Sequence, residues 1–130
     1  TGEKIMANYT FEQWAEKTET TLDQFSRAVK ITLFRSIIMD TRVRTGRMRG
    51  NWQISTGSPI LTETSNKDKL SIGQAGGKAY DDVANGVTSG VDYLSNNVPY
   101  VAHWEQHDGM VAKNIVRLNR NVKKMLSDAQ

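Results

Sequence analysis

The chain has 130 residues, with 17 basic and 14 acidic side chains, a net charge of +3 and no cysteine. This length is enough for one compact domain and too short for two, so we expect a single domain over residues 1–130. The absence of cysteine excludes disulfides and thiolate sites, and no apolar run approaches the roughly 20 residues of a membrane helix, so we expect a soluble protein without a membrane partner.

The first predicted element, after an N-terminal extension over residues 1–9, is a long amphipathic helix. Apolar side chains recur every three or four residues, and no glycine or proline interrupts the pattern. Thr10 and Gln13 stand at the spacing of a capping box. These features predict one helix from about Phe11 to about Thr41, roughly 45 Å long. A helix of that length exceeds what a small domain covers, so we expect part of it to pack on a neighbouring subunit.

A strand, a loop and a weak helix follow. The alternating residues of "NWQIS", 51–55, predict a strand with Trp52 and Ile54 on one face. Residues 62–77 are polar and rich in Gly, Ser, Thr, Asn and Lys, which predicts a flexible loop or arm. The spacing in "KAYDDVANGV", 78–87, is weakly helical.

The last part of the chain predicts one more strand and two helices. "GVDYLSNN", 90–97, alternates before an Asn-Asn turn and is the next predicted strand. "VPYVAHWEQ" begins a short helix with Pro99 in its first turn. After Asp108 and Gly109, regularly spaced apolar residues predict a closing amphipathic helix.

No motif predicts catalysis or cofactor binding. His103 and His107 lie one helical turn apart, but no glutamate directly follows the first histidine and no third ligand is evident, so surface or interface histidines are favoured over a metal site. The glycine-rich residues 73–79 lack the spacing of a phosphate-binding loop. No acid/base pair or nucleophile elbow is recognisable. We therefore expect a protein that is not an enzyme and that has no metal and no cofactor.

Four arginines fall within eight residues: Arg42, Arg44, Arg47 and Arg49. We call this segment the arginine turn. Trp52 follows it closely. Exposed arginines most often form a solvated surface without a specific role. They also suit phosphate contact, because guanidinium groups match phosphate oxygens, or a protein interface with carboxylates and an aromatic anchor. The residues alone leave these three interpretations open.

Three short motifs resemble the tail-completion or neck proteins of tailed bacteriophages. In that family the usual run is Pro-Val-Asp-Thr-Gly-Arg-Leu-Arg, and the matching residues here are Val43, Thr45, Gly46, Arg47, Met48 and Arg49. Arg42 and Arg44 take the places of the proline and the aspartate. A second motif is carried by Asn97, Pro99, Tyr100, Ala102 and Glu105, and a third is "GMV" at residues 109–111. The motifs occur in family order.

The resemblance implies an α+β fold, with a long N-terminal helix and a C-terminal helix packed on a small, mainly antiparallel sheet. It implies a structural virion protein that forms a homo-oligomeric ring, a hexamer in our expectation, at the head-to-tail junction. Its partners would then be connector or head-completion proteins and tail proteins, and it would reside in the host cytoplasm before assembly.

Seven residues are the candidates for the interface. We expect Arg47 and Arg49 to orient the turn and to contact a neighbour, and Arg42 and Arg44 to face either passing DNA or an acidic partner ring. The remaining candidates are Trp52, Tyr100, for which a structural role is the favoured interpretation, and Glu105.

The alternative function is a small nucleic-acid-binding module that uses residues 42–49. The sequence favours it less, because we interpret the basic residues as confined to one turn, while the preceding helix carries acids at Glu12, Glu16, Glu19 and Asp23.

Overall fold

The computed structural model describes residues 11–18 and 20–128 of the chain. Over these residues the chain forms six helices and a two-stranded antiparallel sheet, which confirms the predicted α+β class. The elements are α1 (Phe11–Thr18), α2 (Leu22–Asp40), α3 (Arg47–Gly50), β1 (Gln53–Thr56), α4 (Lys78–Gly86), β2 (Asp92–Ser95), α5 (Val101–Asp108) and α6 (Met110–Asp128). None of these helices is long and apolar enough to cross a membrane.

The predicted N-terminal helix is divided into two, so the prediction of one continuous helix was wrong. α1 ends at Thr18, and α2 begins at Leu22 after Thr21, whose backbone is extended. The Thr21 hydroxyl accepts a hydrogen bond from the Gln24 amide at 3.1 Å, and the Gln24 side chain accepts one from the Thr21 amide at 3.1 Å. This capping box satisfies N–H groups that a helix start leaves unpaired, so it begins a new helix. The capping box predicted from Thr10 includes a residue outside those described.

The core lies where the C-terminal half of α2 meets α3, α4 and the start of α6. Ile38 of α2 and Val83 of α4 are completely buried at its centre. The buried cluster consists of Ile37, Ile38, Met48, Trp52, Ala79, Val83, Val87 and Met110. Burial of these apolar side chains supplies most of the stabilisation that a domain of this size obtains.

α6 packs along α2 in the opposite direction. Asn114, near the start of α6, donates to Asp40 at the end of α2 at 2.9 Å. Near the other ends of the two helices, Phe25 and Met125 line one apolar groove. The predicted closing helix is thereby confirmed, and its apolar face is directed toward α2.

The sheet consists of β1 and β2 in antiparallel register, with Ile54 opposite Leu94 and Thr56 opposite Asp92. A partly buried ion pair fixes this sheet to α2, because Lys30 donates to Asp92 at 3.0 Å. Lys30 also donates to the carbonyl oxygens of Thr88, at 3.0 Å, and of Gly90. β1 begins two residues later than the predicted strand, so Trp52 precedes the sheet.

Candidate partner-binding groove

The arginine turn and α5 enclose a surface groove of about 630 Å³. One wall is formed by residues 42–48 and the other by Tyr100 and Trp104 of the α5 region. The structure therefore brings together two sequence motifs that lie far apart in the chain, the first ending at Arg49 and the second beginning at Asn97. The groove is the concave surface on which most of the predicted site residues meet.

A glycine fixes the bend of the arginine turn. Gly46 has a φ of 85°, and its carbonyl oxygen accepts hydrogen bonds from the Gly50 and Asp68 amides, each at 2.9 Å. A Cβ atom at Gly46 would lie 2.6 Å from the Asp68 carbonyl oxygen. The site therefore requires glycine for two reasons: the left-handed backbone and the closeness of the neighbouring chain.

Arg49 is completely buried and fastens the irregular segment 62–77 to α3. Its guanidinium donates to the carbonyl oxygens of Leu70 at 2.7 Å and Ser71 at 2.8 Å, and also to that of Gln74. Asp68 is buried beside it, with Oδ2 3.4 Å from Arg49 Nε. This approach forms an ion pair without a hydrogen bond, because the alignment is poor.

Two predicted interface residues therefore belong to the interior. Arg49 and Trp52 are both buried within the chain, so the expectation that they contact a neighbour directly is corrected. Trp52 donates its indole N–H to the Thr41 hydroxyl at 2.8 Å, and that hydroxyl donates to the Ile37 carbonyl at 2.7 Å. Segment 62–77 has no helix or strand, as predicted, but the contacts with Arg49 fix the part around Asp68 in place.

Arg42 forms the most constrained charged contact in the groove. It donates to Asp108 through Nε at 3.0 Å and Nη2 at 2.8 Å. Its guanidinium also stacks over Trp104, 4.0 Å from the ring centroid. The hydrogen bond from Arg42, together with one from His107, holds the pKa of Asp108 well below its usual range. Arg42 is thus an oriented cation that still carries unused N–H donors.

Arg47 has a similar arrangement on the same wall of the groove. Its Nε and Nη2 donate to one Glu63 oxygen at 3.1 and 2.7 Å. The guanidinium lies 5.6 Å from the Tyr100 ring centroid, within the range of a cation–π contact. Hydrogen bonding to Glu63 raises the pKa of Arg47 above its ordinary value.

Arg44 differs from the other three arginines. It is exposed at the rim of the groove and forms no ion pair with any residue that the structure describes. The groove therefore presents one unpaired guanidinium between two that are held by carboxylates, next to two aromatic rings. Such a surface is suited to bind a partner in which an acidic group lies next to an apolar group.

Glu105, the last predicted interface residue, has a role that the sequence did not indicate. Its carboxylate accepts hydrogen bonds from the amides of Val111 at 2.8 Å and Ala112 at 3.1 Å, in the first turn of α6. A negative charge at a helix N-terminus is stabilising. The sequence feature that could have indicated this role is the position of Glu105 shortly before Gly109, where the closing helix is predicted to begin.

The two histidines of α5 make local contacts. Among the described residues, no group of three potential metal ligands occurs. His107 Nδ1 lies 2.7 Å from Asp108 Oδ1, and the His103 ring contacts Trp104 edge-to-face. Both histidines border the aromatic wall of the groove.

Comparisons of the chain with protein-family models, with curated proteins and with solved structures found no match. The functional inference therefore rests on the motifs and on the geometry of the groove.

Proposed function

We propose that this chain is a structural virion protein of a tailed bacteriophage. In this proposal it forms a ring at the head-to-tail junction and joins the connector to the tail. The three motifs that resemble the neck and tail-completion family support it, together with the way they are arranged in the fold.

The observation that carries the proposal is that these separated motifs contact one another. Arg47 of the first motif lies over Tyr100 of the second, at 5.6 Å. Glu105 of the second motif accepts a hydrogen bond from Val111 of the third at 2.8 Å. The contact of Arg47 with Tyr100 joins residues far apart in the chain and supports the view that the motif residues shape one surface, whereas the contact of Glu105 with Val111 joins neighbouring segments and supports it less.

A closed ring requires each subunit to present two different, complementary surfaces. The groove supplies one of them, because it is concave, partly aromatic and edged by arginines. A neighbouring subunit or a connector ring would place a carboxylate beside Arg44 and an apolar group against Tyr100 and Trp104. Exposed Arg and aromatic side chains are enriched at such interfaces.

The alternative function, nucleic-acid binding through residues 42–49, receives less support. Arg42 and Arg47 are already paired with Asp108 and Glu63, and Arg49 is buried. Among the residues that the structure describes, Arg44 is the one exposed cation of the four without an ion pair, and the charges of Arg42 and Arg47 are largely offset by their carboxylate partners. One free cation supplies little of the electrostatic affinity that non-specific binding needs.

Light scattering of the purified protein, combined with negative-stain imaging, tests the proposal. We expect ring particles with the mass of six chains of 14.6 kDa each, formed either alone or on mixing with connector or tail proteins. A strict monomer that also fails to enter phage particles would overturn the proposal.

A further inference from the structure

The C-terminal helix α6 carries a second concentration of positive charge. Its five basic side chains are Lys113, Arg117, Arg120, Lys123 and Lys124, and its single acidic residue is Asp128 at its end. The expectation that basic residues are confined to the arginine turn was therefore wrong. The apolar spacing of this segment predicts the helix, and the basic residues lie between the apolar ones.

Four of these residues form one row, which we call the basic stripe: Lys113, Arg117, Arg120 and Lys124. Their spacing of four, three and four positions places them within an arc of about 60° around the helix and over about 16 Å of its length. All four are exposed. The packing of α6 on α2 fixes the orientation of the helix, because Asn114 is buried there and Leu118 and Met125 line the groove between the two helices.

The charges of the stripe are largely uncompensated. Arg117 donates to Asp40 at 2.9 Å. For Lys113, Arg120 and Lys124, the described part of the chain supplies no ion pair. Like charges three or four positions apart repel one another and disfavour the helix. A polyanion lying along the stripe would replace this repulsion with attraction.

We infer that the basic stripe of α6 binds the phosphate backbone of double-stranded DNA without sequence specificity. A row of similar cations offers charge but no pattern of donors and acceptors that would distinguish bases. Protein interfaces, in contrast, are enriched in aromatic residues and depleted in lysine, and α6 has no aromatic residue. This inference is independent of the proposed ring, because an isolated subunit already presents the stripe.

Binding of the purified full chain to a fluorescently labelled DNA duplex of random sequence, followed by anisotropy at several salt concentrations, tests the inference. Phosphate contacts by the three cations without an ion pair predict that affinity falls about 40-fold between about 50 and 200 mM salt. In the variant Lys113→Gln/Arg120→Gln/Lys124→Gln only Arg117 of the stripe remains, and its charge is offset by Asp40, so we expect the salt dependence of binding to be largely lost. Circular dichroism of the variant shows whether α6 is retained.

A matched control removes the same amount of charge elsewhere. Arg27→Gln/Lys67→Gln/Lys69→Gln changes three exposed cations outside α6, and we expect it to keep the salt dependence of the original chain. Equal losses in the two triple variants would overturn the inference, because net charge alone would then explain binding. Absence of binding by the original chain at low salt would also overturn it.

A second control separates DNA from an acidic protein partner. Val116 is exposed next to the stripe, and Val116→Gln leaves every cation in place. We expect unchanged DNA binding, since a phosphate backbone gains nothing from an exposed valine. A loss as large as that of the α6 triple variant would overturn the assignment to phosphate contact and favour a mixed apolar and charged protein interface.

Discussion

Arg49 and Asp68 form a buried ion pair that fastens the irregular segment 62–77, which follows β1, to the arginine turn. Arg49 Nε lies 3.4 Å from Asp68 Oδ2, and the two side chains are 0% and 4% exposed. The other guanidinium nitrogens donate to main-chain carbonyl oxygens between Leu70 and Gln74. One arginine thus replaces the regular hydrogen bonding that this segment lacks.

Replacement of Arg49 with Met should destabilise the fold strongly. The variant would leave Asp68 as a buried carboxylate without a counterion and would leave three carbonyl oxygens without their donor. Breaking one side of such a buried pair costs about 3–5 kcal/mol of the free energy of unfolding. Urea denaturation measures this loss. Arg44→Met, in the same turn but exposed, is the control and should change the free energy of unfolding by less than about 0.5 kcal/mol. Similar effects at both positions would contradict the role given to Arg49.

Alanine at Gly46 should cost more than alanine at Gly57. Both glycines have a φ of 85°, so each substitution imposes a left-handed strain of about 1–2 kcal/mol. At Gly57 no other atom lies within 4 Å of the added Cβ, whereas at Gly46 the Asp68 carbonyl oxygen lies 2.6 Å away. Urea denaturation measures how much each substitution lowers the free energy of unfolding. The difference between the two losses gives the cost of the close contact between the added Cβ at Gly46 and segment 62–77. Equal losses would show that this segment moves aside without cost.

The Asp92 carboxylate should make stability depend on acid pH. Burial raises its pKa, but hydrogen bonds from the Thr88 backbone, from Lys30 and from the hydroxyls of Thr56 and Thr88 outweigh that effect and lower the pKa from 3.8 to about 2. A lowered pKa in the folded state stabilises the protein above the unfolded-state pKa, and this contribution is lost as the pH falls from about 4 to about 2.

Urea denaturation at a series of pH values compares Asp92→Asn with the original chain. We expect the variant to be less stable at neutral pH and to lose less stability in that acid window. Asp108 contributes to the same window, because Arg42 lowers its pKa as well, so the difference between variant and original chain is the informative quantity. Asp81→Asn, at an exposed position of α4, should keep the original profile. An unchanged acid profile in Asp92→Asn would contradict the assignment.

Most helices and the sheet follow from local patterns, but the break before Leu22 and the short helix α3 were not predicted. Periodic apolar residues predicted α2 and α6, and alternation predicted both strands within two residues. The break before Leu22 was missed because the apolar spacing continues across it. Thr21 and Gln24 have the same capping-box spacing as Thr10 and Gln13, and periodicity does not show which capping box begins a helix.

The burial of Arg49 could not be predicted from the sequence, because the four arginines of the turn have similar neighbours along the chain. Arg49 differs from the other three because its guanidinium donates to main-chain carbonyl oxygens that lie 21 to 25 residues further along the chain. Segment 62–77 has no apolar periodicity that would place it against α3. Tertiary contacts of irregular segments leave no local pattern, so the division of the arginines into one buried and three at the surface required the structure.

The last prediction concerns assembly and rests on the proposed ring. Arg47→Ala should reduce the oligomer mass measured by light scattering, or the yield of phage particles, while leaving the fold intact. The pair of Arg47 with Glu63 is 43% and 35% exposed, so its loss should cost at most about 1 kcal/mol of the free energy of unfolding. Glu63→Gln is the matched control, because it breaks the same ion pair but leaves the guanidinium in the groove, so it should still assemble. If Arg47→Ala kept the original mass and yield, or if Glu63→Gln lost them equally, Arg47 would have no direct role in partner contact.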